Sequence, residues 1–178
     1  MQLTGERNIS AAPETVWAAI LNPVVLKACI PGCDSMTGTP EDGYEAVVVQ
    51  KVGPVSARFT GVVKLSDITP GRAVTISGEG KGGPAGFAKG SAKVTLTPEG
   101  DGTVLVYEVN ANVGGKLAQL GSRIIDGFAK KMADQFFERF QDAVEGPTAE
   151  EEDGAVDEGD VSKKGWFGRL FSKESKGG

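Results

Sequence analysis

The sequence predicts an α+β fold: an antiparallel sheet wrapped around one long C-terminal helix, with two short helices after the first strand. Three observations carry this reading. The chain opens on a period-two pattern and passes directly into two proline-led helical stretches. Five strand-like runs then follow one another, separated by glycine and proline, with no helical period between them. From Leu117 to Val144 the apolar residues instead recur every three or four positions. Strands and helices segregated in this way place the helix against one face of a meander.

"QLTGERNI" alternates Leu3, Gly5, Arg7 and Ile9 against polar partners, which is the side-chain period of a strand. In "SAAPETVWAAIL", Pro13 suits a first helical position and Glu14 the first turn, and Trp17, Ile20 and Leu21 share a face. "NPVVLKACIPGC" reads as a second short helix ended by Pro31-Gly32. A weaker strand is expected around Ser35–Thr39, and stronger ones near 43–52, 55–68, 72–80, 86–98 and 102–113. The breakers between the stronger strands are Gly53-Pro54, Pro70-Gly71, Gly82-Gly83-Pro84 and Gly100-Asp101-Gly102. Leu117, Leu120, Ile124, Phe128, Met132, Phe136, Phe140 and Val144 then form one continuous helical stripe. By element order the chain resembles the helix-grip plan of the START/Bet v 1-like superfamily.

The inward face of the sheet is rich in small residues. Alternation places Ala57 and Phe59 on one strand, Gly78 on the next, and Ala88, Gly90 and Ala92 on the one after. Tyr107 follows on the last strand, and Leu117, Leu120, Ile124 and Phe128 of the helix face them all. Protein interiors pack like organic crystals, so a wall of Gly and Ala leaves space unless the helix fills it. One reading is an apolar ligand cavity lined by these residues. The other is that the glycines mark curvature and bulges, with the helix pressed close. On the cavity reading, leucine at Gly90 is expected to fill the void and leave the protein folded.

Charge divides the chain into three parts. Residues 1–141 carry 14 basic and 14 acidic residues, whereas residues 142–162 carry 9 acidic and no basic ones. Residues 163–178 carry 5 basic residues and one acidic. The expected organisation is a ligand-binding domain over 1–144, a disordered and self-repelling acidic tether over 145–162, and a basic tail over 163–178. In the tail, a helical turn of about 100° per residue gathers Trp166, Phe167, Leu170 and Phe171 in one sector. Arg169 lies opposite and Lys173 at the edge, with Lys163 and Lys164 preceding the group. Such a peptide can fold at an anionic membrane surface, Trp at headgroup level, or dock in a protein groove.

Catalytic constellations are hard to find. The chain has no His, which removes the commonest general base and metal ligand. Cys29 and Cys33 could begin a metal site, but four ligands of the usual tetrahedral kind are wanting, and packing or turn structure is the simpler reading. Their pairing as a disulfide scaffold is not expected, and a reduced cytoplasmic setting suits them better. "GEGKGGPAGFAKG" precedes a strand and lacks the phosphate-loop pattern. Lys81, Lys89 and Lys93 are few and balanced by acids, so no nucleic-acid surface is expected. Glu108 and Asn110 read as a solvated face. The N-terminus lacks the apolar stretch of a signal peptide, and no run is long enough to span a bilayer.

Four blocks, "LKACIPGCDSM", "VGPVSARFTGVVKLSD", "GEGKGGPAGFAKGSAKVTL" and "NVGGKLAQLGSRIIDGFAKKMADQFF", resemble the signature of the carbon monoxide dehydrogenase CoxG family. They occur in the family's order and cover about residues 1–144. The resemblance implies a non-enzymatic accessory protein of aerobic, molybdenum-type carbon monoxide dehydrogenase or a related hydroxylase. It implies recruitment of that enzyme to the inner face of the cytoplasmic membrane. It also implies handling of a respiratory quinone as carried ligand, with no covalently bound cofactor. A ligand-free recruitment adaptor or maturation factor is the alternative, and a cyclase or aromatase of the same fold is a third that the missing His opposes.

Overall fold

The computed structural model describes residues 1–146. The tether beyond Gly146 and the whole basic tail lie outside the described residues. The chain divides at Val144/Glu145 into two units, and the first, Met1–Val144, holds the sheet and its helices.

Strand β1 (Gln2–Ile9) leads into helices α1 (Pro13–Ile20) and α2 (Pro23–Cys29). Proline begins each helix, where a missing N–H costs nothing. The Asn22 side chain caps α2 by accepting from Val24 N at 2.9 Å. Helix α2 ends because Ile30 precedes Pro31 and is held extended, at ψ 115°. The meander follows as β2 (Cys33–Thr39), β3 (Gly43–Val52), β4 (Val55–Thr69), β5 (Ala73–Lys81), β6 (Phe87–Glu99) and β7 (Gly102–Gly114). A short 3-10 turn, Gly83–Ala85, joins β5 to β6. The expected strand ends agree to within a residue or two.

All seven strands form one antiparallel sheet in the order β1-β7-β6-β5-β4-β3-β2. Each neighbouring pair from β2 to β7 is consecutive in sequence, and β1 closes onto β7. The β3–β4 hairpin turns on Gly53-Pro54, with Gly53 at φ +58°, the left-handed first position that a tight hairpin takes. The sheet is irregular between Ser66 and Thr69.

The last helical segment corrects the expected continuous stripe. It is two helices, α3 (Lys116–Gln119) and α4 (Ser122–Glu145), broken at Gly121. Gly121 takes φ +89°, the left-handed position that ends a helix, and its carbonyl then receives Ile125 N at 3.2 Å to start α4. The break leaves Leu120 and Ile124 on either side of a turn rather than on one ridge.

The packed core occupies one end of the sheet. Ile9, Val74, Val94, Leu96 and Leu105 meet Val16, Ile20 and Cys29 from the short helices, with Phe137 and Phe140 from α4. Full burial of side chains of this size is worth about 1.5–3 kcal/mol each. Tyr44 is buried as well, and its hydroxyl donates to Leu21 O at 2.7 Å. Thr103, the one buried polar side chain among the described residues, donates to Ala11 O at 2.7 Å.

Candidate functional site: a half-open apolar face

The register fixes which side chains share the inward face. Val94 lies between Val74 and Tyr107, Ala92 between Ile76 and Val109, and Gly90 between Gly78 and Ala111. Ala88 lies between Gly80 and Val113, while Ala57 and Phe59 sit opposite Gln50 and Val48. The expected strand residues therefore do lie on one face, on the side of α4. Glu108 lies on the other, between Lys93 and Thr4, and Glu79 pairs across from Lys89.

Burial along this face is graded. At the core end, Val74, Val94, Leu96, Leu105 and Tyr107 are buried. Towards the other end, Ala57, Phe59, Gly78, Ala88, Gly90 and Ala92 are only half-buried although they face the helix. Val63, Ile76, Val109 and Val113 share that state. An inward apolar wall that keeps partial access to solvent is a wall whose opposite side is incompletely filled.

The helical residues divide in the same way. Leu117 is buried, Leu120 and Phe128 are half-buried, and Ile124 is 42 % exposed. Ile124 is thus a rim residue, correcting its place in the lining. A Cβ on Gly53 would stand 3.8 Å from Ile124 Cγ2 and 3.9 Å from Leu120, so the β3–β4 turn reaches this rim. The Phe59 ring lies against Gly82, where a Cβ would come within 2.5 Å of its Cε1.

Two further expectations change. Tyr107 belongs to the core boundary rather than to an open wall: it is 5 % exposed and stacks on Phe137, a residue outside the expected stripe. Gly90 does not border empty space. A Cβ there would stand 2.5 Å from Asn110 O and 2.9 Å from Ala111 Cβ, so glycine at this point lets β7 come close. Gly78 is different, since its Cβ would meet Val62 O at 3.6 Å and Val63 Cγ2 at 3.7 Å, ordinary contacts. Of these two central glycines, Gly78 is the one that leaves room for a side chain.

One charged residue points inward, at the β1 edge. Arg7 reaches Asp134 of α4, Nη2 to Oδ1 at 2.7 Å, and its guanidinium lies 5.3 Å from the Phe137 ring centroid. Burial works against the guanidinium charge, but hydrogen bonds to Asp134 and Tyr107 outweigh it and raise the pKa. Arg7 and then Lys130 hold the Asp134 carboxyl below its usual range. Alternation marks Arg7 as inward, but its partner 127 residues away carries no local signal.

The cysteines are structural neighbours of this region. Cys29 is in the core, and Cys33 donates its S–H to Ser35 O at 3.2 Å. Burial pushes both thiols up, so neither is an activated nucleophile.

The family model of the carbon monoxide dehydrogenase protein CoxG matches residues 5–145. The chain belongs to the CoxG family. The match spans the sheet and almost all of α4. A conserved protein from Geobacillus kaustophilus is 31 % identical, with a TM-score of 0.76, covering 82 % of this chain and 95 % of that one. Other solved structures share the fold at lower identity. A START superfamily protein from Mycobacterium smegmatis has a TM-score of 0.61 at 13 % identity, covering 81 % of this chain and 97 % of its own. A protein from Chromobacterium violaceum has a TM-score of 0.63 at 16 % identity, covering 83 % and 99 %. No curated protein matches the chain. The CoxG fold here is START-like: a seven-stranded antiparallel sheet, a long C-terminal helix and two short helices after the first strand. No helix among the described residues is long and apolar enough to cross a membrane.

Proposed function

We propose that this chain is an accessory protein of aerobic, molybdenum-type carbon monoxide dehydrogenase that carries a respiratory quinone between the cytoplasmic membrane and the enzyme. The observation that carries the reading is the half-buried wall around Ala57, Phe59, Gly78, Ala88 and Ala92, apolar yet incompletely covered. Such a wall suits a water-insoluble ligand, because shielding its surface lets it leave lipid without exposing it to water. The protein does no chemistry of its own on this reading. The quinone is cargo, held without a covalent bond, and the dehydrogenase is the partner that reduces it.

The tail completes the proposal. Lys163, Lys164, Arg169 and Lys173 would face anionic lipid on the inner side of the cytoplasmic membrane, and Trp166, Phe167, Leu170 and Phe171 would enter its headgroup region. The acidic tether would hold the domain off the surface and allow it to swing towards the enzyme.

Gly90 favours a second reading. Where glycine serves backbone approach, the small residues need not mean space. The chain would then be a ligand-free recruitment adaptor or maturation factor for the dehydrogenase. Solvent extraction of the purified full chain followed by mass spectrometry separates the two. A quinone recovered at close to one per chain supports the carrier. A folded, membrane-binding protein that yields none, even after incubation with quinone-loaded vesicles, supports the adaptor.

A further inference from the structure

The surface charge of the domain is sorted end to end. Three chain segments meet at the half-open end: the β3–β4 turn, the connection from β5 to β6, and the passage from β7 through α3 into α4. Their proximity is direct. Gly53 abuts Leu120 and Ile124, Gly86 abuts Gly115, and the Phe87 ring lies on Gly114. Lys51, Lys81, Lys116 and Arg123 stand exposed on these segments, against a single acid, Asp126. No ion pair among the described residues involves any of the four. Between them Phe87 is 41 % exposed and Ile124 42 %.

The opposite end reverses the sign. Glu14, Glu41, Asp42, Asp67, Glu99 and Asp101 are exposed on the turns there, with Arg72 the one base. A domain with equal numbers of acids and bases thus presents a basic collar around apolar side chains at one end only.

We infer that this collar is a lipid-docking surface, seating the half-open end of the domain on an anionic bilayer independently of the tail. The occupant follows from charge and shape together. Basic side chains ringing exposed apolar ones match a negatively charged surface with an apolar interior, and the acidic far end is repelled from it. The inference rests on the carrier reading for its purpose, since it would bring the small-residue wall to the source of quinone. Its physical claim, contact with lipid, stands apart.

The test uses the full chain without quinone. Trp166→Phe keeps the tail apolar and removes its indole. Phe87→Trp is added to that background, and fluorescence is read on vesicles whose acyl chains carry bromine, a contact quencher. On phosphatidylglycerol-rich vesicles the indole at 87 is expected to be quenched beyond the Trp166→Phe parent. Zwitterionic vesicles should quench it far less. Reversing Lys51, Lys81, Lys116 and Arg123 to Glu should weaken collar seating by on the order of a hundredfold or more, given the surface attraction of each base. A neutral set, with Gln at the four positions, serves if the reversed set does not melt cooperatively, and should show the same direction. No added quenching at position 87, equal quenching on both lipids, or quenching that survives in a folded charge variant overturns the inference. So does loss of dehydrogenase binding with no lipid contact at 87, which would make the collar a site for an acidic protein. A chain that yields no quinone but shows the expected quenching retains the collar and loses the carrier.

Discussion

The ring of Tyr107 on β7 lies over that of Phe137 on α4, centroids 4.8 Å apart and planes 19° from parallel. Phe137 also meets Phe136 and Phe140 edge-on, at 5.0 and 6.4 Å. This cluster joins helix to sheet where the tight packing ends. Beyond it, towards Phe128, the same helix covers the sheet less closely. Truncating Phe137 to Ala should therefore cost about 3–5 kcal/mol, the range for a large core aromatic. Phe128→Ala removes as many atoms from a half-buried site and should cost clearly less. Urea denaturation of the two variants checks this, and equal losses would mean that both ends of the helix are packed alike.

The two central glycines should behave oppositely. Gly78→Leu projects into ordinary contact distance and is expected to fold, with little or no fall in melting temperature, and to lose most of its bound quinone. Gly90→Ala already drives a methyl onto Asn110 O, so it should cost about 1–3 kcal/mol as an overpacked site. Thermal melts and solvent extraction read both. A stable Gly90→Ala protein would show that β7 yields easily, and unchanged ligand in folded Gly78→Leu would move the pocket elsewhere.

Stability should depend on pH through the Arg7–Asp134 pair. The folded carboxyl is held below its ordinary range, so its contribution is complete above the unfolded-state value and is lost as pH falls through the folded one. The difference in melting temperature between the parent and Asp134→Asn should be present at neutral pH and disappear in acid. A difference that persists unchanged through the carboxylate range would assign it to packing. The carboxylate is half-exposed, so added salt should shrink the neutral-pH difference.

Deleting residues 163–178 is expected to lower binding to anionic vesicles strongly and leave the melting temperature of the domain unchanged. High salt should weaken binding by the full chain. Trp166→Ala with Phe167→Ala should weaken it at every salt concentration, since that contribution is apolar. If the truncated chain sediments with vesicles as fully as the intact one, the tail is not the anchor.

Much of the fold was legible because period-two alternation is strict in β4, β6 and β7, which marks the inward face residue by residue. What escaped depended on distant partners. Leu120 and Ile124 keep helical spacing across Gly121, so the pattern runs on although the backbone does not. Gly78 and Gly90 look alike in sequence, and only the path of β7 distinguishes the glycine that leaves room from the one that admits a neighbouring strand. Phe137, next to Phe136, fell outside a narrow stripe because a helix lying on a sheet buries a broader face. Asp134 shows its purpose only beside Arg7.

The strand order also sets how the sheet is assembled and taken apart. From β2 to β7 every pairing is a local hairpin, so those strands can zip together over short loops. The β1–β7 seam is the exception: the Met1 amino group bonds to Ala111 O across 110 residues, closing the largest loop in the sheet. Closing it costs more chain entropy than any hairpin, which places β1 among the last strands to form. The same seam is a mechanical edge. A pull on the amino terminus would peel β1 from β7 rung by rung, from Met1 towards Ile9, while the six hairpin-linked strands behind it stay paired.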